Sequence, residues 1–160
     1  MMISKIISGG QTGVDRAALD AAMALNIKHG GWCPKGRLAE DGIIPERYAL
    51  TETSSNIYQQ RTRMNVRDAD ATLIIIKNGI WGTGTNFTKN VCNELKKVFF
   101  LIDVDKVAEV DKIRLWLNSH NINILNVAGN RESTTPGIYD CAFNLLLEVI
   151  LADIYRNHYD

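Results

Sequence analysis

Three short stretches combine glycine, hydroxyl and amide side chains in the way that backbone recognition of an anion requires. Gly9-Gly10-Gln11-Thr12-Gly13 ends an apolar run and opens an alanine-rich segment. Trp81-Gly82-Thr83-Gly84-Thr85 repeats that chemistry, and so does Ala128-Gly129-Asn130-Arg131-Glu132-Ser133-Thr134-Thr135-Pro136-Gly137. Glycine lets backbone N–H groups come close to a ligand. A helix N-terminus adds unpaired donors and a partial positive charge, which favour phosphate or carboxylate. Thr12 with Asp15 three residues on has the form of a helix cap with an acidic partner. The first of these stretches is not GxGxxG, and it lacks the lysine of a P-loop. A tight strand-to-helix turn without a ligand accounts for any one of them. Three on one sheet edge indicate a site for a phosphorylated small molecule.

The roles follow from residue type. Gly9, Gly10, Gln11, Thr12 and Gly13 would hold one polar end of the ligand with backbone donors. Gly82, Thr83, Gly84 and Thr85 would cradle its phosphate, with Thr88 nearby. Arg61 and Arg131 supply charge, Ser133 and Thr134 further hydrogen bonds. Arg61 belongs to a polar segment with Arg63 and Arg67, where Ile57 and Met64 are the expected core anchors, and it falls near the anchored side. Trp81 either stacks on a flat ring or packs against the following helix. Cys33, beside Pro34, is either a soft thiolate ligand or, by preference, a buried inert thiol. Asp41 and Arg47 sit in a long loop that could close over a ligand. His29, His120 and His158 lack ligand spacing and receive no role.

The elements that must position these residues alternate regularly. Strands are expected at Ile3–Ser8, Lys28–Cys33 (weak), Ala71–Lys77, Val98–Asp103 and Ile122–Val127, and helices at Thr12–Leu25, Ser54–Asp68, Thr85–Lys97 and Lys106–Ser119. Thr135-Pro136 opens a last helix reaching about Tyr155. The first helix carries Val14, Ala18, Ala21 and Leu25 on one stripe, and its small alanines allow close approach to a sheet. The run ATLIIIK reads as a strand buried on both faces. Strands separated by helices imply an α/β fold: a doubly wound, mostly parallel sheet of five or more strands. Residues 1–160 read as one domain. The irregular stretch Pro34–Thr53 is long enough to suggest a functional loop. In such sheets ligands collect at the carboxyl ends of the strands, where the strand order reverses.

Composition narrows the function. Lys+Arg and Asp+Glu balance at 18 each among 160 residues, so no global field recruits nucleic acid or an anionic membrane. No apolar stretch approaches the roughly 20 residues of a membrane span, and no signal peptide precedes Ser8. Three widely spaced cysteines suit neither a disulfide framework nor a zinc site. These features fit a cytoplasmic protein. The last helix, CAFNLLLEVILADIY, carries Cys141, Leu145 and Val149 on one apolar stripe and Phe143, Leu147, Ile150 and Ile154 on another. A helix covering a sheet needs one such stripe, so the second is expected to meet another subunit in a homodimer or higher homo-oligomer, unless Lys106–Ser119 covers it.

The stretches SGGQTGVDRAALDAA, GWCPKGRLAEDGIIPERYAL, ADATLIII, GTGT and NVAGNRESTTPGI together resemble the molybdenum carrier protein family. That family lies within a Rossmann-like group of nucleotide-ligand binders that includes the cytokinin-activating, Lonely Guy phosphoribohydrolases once called lysine decarboxylases. The resemblance covers the chain from Ile6 to about Tyr139. It implies a Rossmann-like fold, a homo-oligomer, and a pocket for the molybdenum cofactor (molybdopterin) or a related nucleotide-like phosphate ligand, with molybdoenzymes as the partners that receive the cofactor. The hydrolases carry PGGxGTxxE, whose glutamate works with a helix arginine on an N-glycosidic bond. Arg61 and Gly84-Thr85 match, but Thr88 stands at the glutamate position and cannot act as a carboxylate.

The expected function is therefore binding of a phosphorylated cofactor, as a molybdenum cofactor carrier, without catalytic residues. The alternatives are a nucleotide or nucleotide-sugar hydrolase using Asp15, Glu132 or Asp140 as a relocated carboxylate, and a nucleotide-sensing module.

Overall fold

The computed structural model describes residues 3–105 and 110–156. In chain order the elements are β1 (Lys5–Ile7), α1 (Val14–Ala24), β2 (Lys28–Gly30), β3 (Trp32–Cys33), β4 (Leu38–Ala39), β5 (Gly42–Ile43) and β6 (Thr51–Glu52). Then follow α2 (Tyr58–Asp68), β7 (Ala71–Ile76), α3 (Thr83–Glu94), β8 (Val98–Asp103), α4 (Val110–Ser119), β9 (Ile124–Gly129) and α5 (Ile138–Arg156).

Five strands form one parallel sheet in the order β2-β1-β9-β7-β8. β9 lies between β1 and β7, with Ile6 beside Leu125 and Leu73 beside Val127. Every residue of β7 is buried, as a central strand covered on both faces demands. Helices α1, α4 and α5 pack together on one face, and α2 and α3 on the other. Connections that step toward the β2 edge use the first face, and those that step toward the β8 edge use the second. Right-handed crossovers require that segregation. β1 therefore leaves toward one edge and β7 toward the other. The sheet is the doubly wound, Rossmann-like arrangement, and its switch point lies over the carboxyl ends of β1, β9 and β7.

Side-chain size explains the packing. Ala17, Ala18, Ala21 and Ala22 of α1 are fully buried, so the helix backbone can settle close to β1, β9 and α5. On the other face Thr62, Asn65 and Val66 point inward from α2. Ile57 does not anchor that helix: it is its N-cap residue and 57% exposed. The inward side of α2 is instead partly polar because Asn65 accepts from Trp32 N at 2.8 Å and donates to Trp32 O at 2.9 Å.

Several boundaries differ from the sequence reading for local reasons. Lys28–Cys33 breaks at Gly31, whose φ of 124° only glycine readily adopts. β2 joins the main sheet, whereas β3 turns away to pair with β6. α2 starts at Tyr58, not Ser54, because Ser55 turns the chain, its hydroxyl accepting from Ile57 N at 3.1 Å. The stretch Pro34–Thr53 is ordered, built on the β4–β5 hairpin and on Ile44 and Tyr48, both buried beside Leu19 and Cys33. Arg37 donates to the carbonyls of Ile44, Pro45, Tyr48 and Leu50 inside it. The expected start of the fourth helix at Lys106 lies outside the described residues, as does His158.

Helix α4 packs on α5 and buries Ile113, Trp116 and Leu117. Phe143, Leu147 and Ile154, assigned above to the second stripe, are partly buried against the same core. Much of that stripe is thus covered within the chain. Among the described residues no helix is long and apolar enough to cross a membrane.

Candidate functional site

The loops after β1, β7 and β9 meet at the switch point around a cavity of about 530 Å³, within the range of small-molecule sites. Gln11, Arg61, Gly82, Thr83, Gly84, Thr85, Thr88, Arg131, Ser133 and Thr134 line it. Gly9, Gly10, Thr12 and Gly13 lie behind this lining. Their closest neighbours explain why. A Cβ at Gly9 would fall 1.8 Å from Arg61 Nη1, so the missing side chain makes room for the guanidinium. Gly10 packs on Leu50 and Ile44, and Gly13, at φ 77°, packs on the carbonyl of Asn130.

The helix N-termini at this edge are not equivalent. At α1, Gln11 N donates to Asp15 Oδ2 at 3.2 Å, Thr12 N to Gln11 Oε1 at 3.0 Å and Val14 N to Asn130 O at 3.2 Å. At α5, Glu132 accepts from Gly137 N at 2.5 Å and from Tyr139 N at 3.0 Å. Both ends already face a carboxylate of the chain itself. At α3, Gly82 N donates to Asn130 Oδ1 at 2.9 Å, but among the described residues no protein acceptor meets the N–H groups of Thr83, Gly84 and Thr85. These donors belong to a first turn that lines the cavity. Of the three stretches, this one presents an open anion-binding turn.

Asn130 holds that turn in place. It is 2% exposed, and its amide is fully engaged. Oδ1 accepts from Gly82 N and, at 2.7 Å, from Thr85 Oγ1. Nδ2 donates to Ile80 O at 2.8 Å and to Thr135 Oγ1 at 2.9 Å. One side chain thus ties the loop after β7 to the loop after β9. Thr88 Oγ1 donates back to Gly84 O at 3.0 Å, one turn earlier in α3.

The cavity floor carries a buried ion pair. Arg61 Nη1 lies 3.0 Å from Asp15 Oδ2, with side-chain exposures of 14% and 5%. Burial pushes the Asp15 carboxyl above its ordinary range, against the opposing pull of the Arg61 guanidinium. Two donors at this floor, Gln11 Nε2 and Arg61 Nε, are buried without a hydrogen-bond partner.

At the rim, the tip of the β4–β5 hairpin reaches over the loops. Glu40 accepts from the hydroxyls of Thr12 and Ser133, from Ser133 N at 3.2 Å, and faces Arg131 at 3.7 Å. Partial burial pushes its carboxyl up, but the hydrogen bonds from Ser133 and Thr12 and the Arg131 charge outweigh this and hold it below its ordinary range. Ser133 is therefore already bonded through both N–H and hydroxyl. Thr12 does not cap α1: Gly13 is the N-cap residue, and the Thr12 hydroxyl instead bridges Glu40 and, at 3.2 Å, Glu132 N.

The remaining candidates fall outside the cavity lining. Asp41 pairs with Arg16, Nη2 to Oδ1 at 2.7 Å, and Arg47 lies 3.3 Å from Asp20. Cys33 is fully buried beside Leu19, Ile44 and Tyr48, and burial raises its thiol. Trp81 carries Lys89 over its ring at 5.3 Å. The aromatic faces at the cavity are instead Tyr58 and Phe87, and Tyr58 lies under both Arg61 (5.9 Å) and Arg131 (5.7 Å). Sequence reasoning missed Tyr58 and Glu40, and placed Asn130 in the third stretch without a role of its own. Tyr58 gave a usable signal, since it stands three residues before Arg61 on the same helix face.

Fold and crevice define a Rossmann-like α/β domain whose cavity sits where such sheets place ligands. The chain belongs to the circularly permutated YpsA SLOG family, whose model matches residues 6–150. It is similar to a crystal structure from Syntrophus aciditrophicus SB named "putative molybdenum carrier protein", at 46% identity and a TM-score of 0.85, over 93% of this chain and 95% of that one. No curated protein matches the chain.

Proposed function

We propose that the cavity binds a phosphorylated small molecule, with the phosphate seated on the N-terminus of α3, and that the protein serves as a molybdenum cofactor carrier. The observation that carries this reading is the open first turn of α3, where the N–H groups of Thr83, Gly84 and Thr85 have no protein acceptor. Charge-assisted hydrogen bonds to an oxyanion are shorter and stronger than neutral ones, and Arg131 stands at the same cavity. The carrier name of the similar crystal structure supports the finer reading.

The lining suits the organic part of such a cofactor. It offers backbone and side-chain donors for a phosphate and for ring or carbonyl oxygens, and the Tyr58 and Phe87 side chains add aromatic surface to the wall. Thr83, Gly84, Thr85 and Arg131 would hold the phosphate, and Arg61 and Gln11 the far end. The cofactor, when bound, brings the metal on its own ligands. A nucleotide-like phosphate would use the same donors.

Mass spectrometry of protein purified under native conditions from the cells that make it tests the proposal. A co-purifying pterin phosphate supports the carrier function. A nucleotide keeps the phosphate site and removes the carrier, and a protein that carries no phosphorylated molecule removes both.

One observation favours a second reading, hydrolysis of an N-glycosidic bond. The Asp15 carboxyl lies beside Arg61 at the cavity, a relocated acid where Thr88 offers none. Chromatography of adenosine monophosphate incubated with the protein tests it: base release abolished by Asp15→Asn supports hydrolysis, and no release leaves binding alone.

We further propose that the chain forms a homodimer, supported by the exposed Leu115 and Tyr155 on the α4–α5 face (66% and 62%). Light scattering at high micromolar concentration would return a dimer mass, and a monomer there removes the interface.

A further inference from the structure

The orientation of Gln11 is fixed by its surroundings. Its Oε1 accepts from Thr12 N at 3.0 Å and from Glu40 N at 2.9 Å. Turning the amide over would set its NH2 against two N–H donors, so Nε2 must be the other end. That donor is buried and unpartnered on a residue only 5% exposed, and the residue lines the cavity. Arg61 adds a second buried, unpartnered donor at Nε. The two residues share an anchor, because Gln11 N and Arg61 Nη1 both donate to Asp15 Oδ2. Buried polar groups in folded proteins nearly always find partners. Two buried donors left without one, on residues that line the same cavity and share the Asp15 carboxylate, are the complement of a missing acceptor.

We propose that Gln11 Nε2 and Arg61 Nε together form a second recognition point, which takes an oxygen acceptor on the non-phosphate part of the ligand. The inference rests on the phosphate site at α3 and deepens it. The cavity then selects an organic phosphate monoester, such as a phosphorylated sugar, nucleoside or pterin with a carbonyl or hydroxyl oxygen at its far end. It discriminates against inorganic oxyanions, which can reach one end but not both. A ligand presenting only N–H groups at the floor would meet donor against donor.

The test compares inorganic phosphate, ribose 5-phosphate, adenosine monophosphate and guanosine monophosphate by calorimetry, on wild-type protein and on two variants. Gln11→Glu keeps an acceptor for Thr12 N and Glu40 N but replaces the donor. Gln11→Met removes the donor without adding charge. Thermal melts of both establish that the fold is retained. The readout is the affinity ratio between the best organic phosphate and inorganic phosphate, in which a general charge effect cancels. We expect the wild-type ratio to exceed unity and to fall about tenfold in both variants, the scale of one unmade buried hydrogen bond. An unchanged ratio in the variants overturns the second recognition point, as does wild-type protein that binds organic phosphates no better than inorganic phosphate; either leaves the phosphate site standing. Failure of the wild-type protein to bind any of the four overturns both.

Discussion

Replacing Asn130 with alanine should loosen two loops at once and cost the protein a measurable part of its stability. The side chain makes four hydrogen bonds, to Gly82 N, Thr85 Oγ1, Ile80 O and Thr135 Oγ1. At a net value of about 1 kcal/mol each, their sum sets a ceiling of about 4 kcal/mol. Not all of it will be lost. Gly82 and Ile80 are partly open to solvent, and water can replace their bonds. Thr85 and Thr135 are 2% and 3% exposed, so their hydroxyls must find new partners inside or stay unpaired. A loss of about 3 kcal/mol is the expected balance, which for a chain of this size lowers Tm by about 6–12 °C. Thr135→Val, which removes a single bond, should cost about 1 kcal/mol. Urea and thermal unfolding measure both. If Asn130→Ala costs less than Thr135→Val, Asn130 is not what ties the loop after β7 to the loop after β9.

Arg61→Ala should destabilise by about 3–5 kcal/mol, because it strands the buried Asp15 carboxylate. With the guanidinium gone, the largest pull against burial is lost, only hydrogen bonds such as that from Gln11 N still oppose it, and the Asp15 pKa rises further. The folded variant then takes up a proton that the unfolded chain does not hold, so its deficit against wild type should grow as pH rises from 5 to 8; urea titrations giving a constant deficit would refute this. Glu40, held below its ordinary range, contributes stability that is present above the unfolded carboxylate range and lost as pH falls through its lowered value. Glu40→Gln should therefore flatten the acid limb of the Tm–pH curve, and an unaltered limb would show the rim clasp to be inert. Asp15→Asn should leave inorganic phosphate binding at α3 within about twofold, since Asp15 touches none of those amides; calorimetry decides, and a collapse of binding would move the anion site to the floor.

Much of the fold was legible because periodicity carries it. ATLIII could only be a central strand, and the alanines of α1 only a close-packed helix. The strand order was not legible, since nothing local says that β9 inserts between β1 and β7. The three loops were readable as anion-friendly turns, but not which of them was free. That depends on where Asp15 and Glu132 point: Asp15 turns back onto Gln11 N just ahead of α1, and Glu132 takes the Gly137 and Tyr139 amides where α5 begins. Glu40 was invisible for a related reason: its partners lie 28 and 93 residues away, at Thr12 and Ser133. Trp81 was a fair choice for a stacking platform from its place beside the glycines. The chain turns it toward Lys89 and leaves the cavity to Tyr58, whose signal was helical spacing from Arg61.

Of the three glycine-bearing loops, the one that opens α3 leaves its helix N-terminus free to take an anion. An NMR titration of isotope-labelled protein with inorganic phosphate tests it most directly. The amide resonances of Thr83, Gly84 and Thr85 should shift together and saturate, with Arg131 following, while Gln11, Thr12 and Val14, whose N–H groups already have acceptors, stay in place. Shifts confined to the α1 amides, or none in the first turn of α3, would contradict the account.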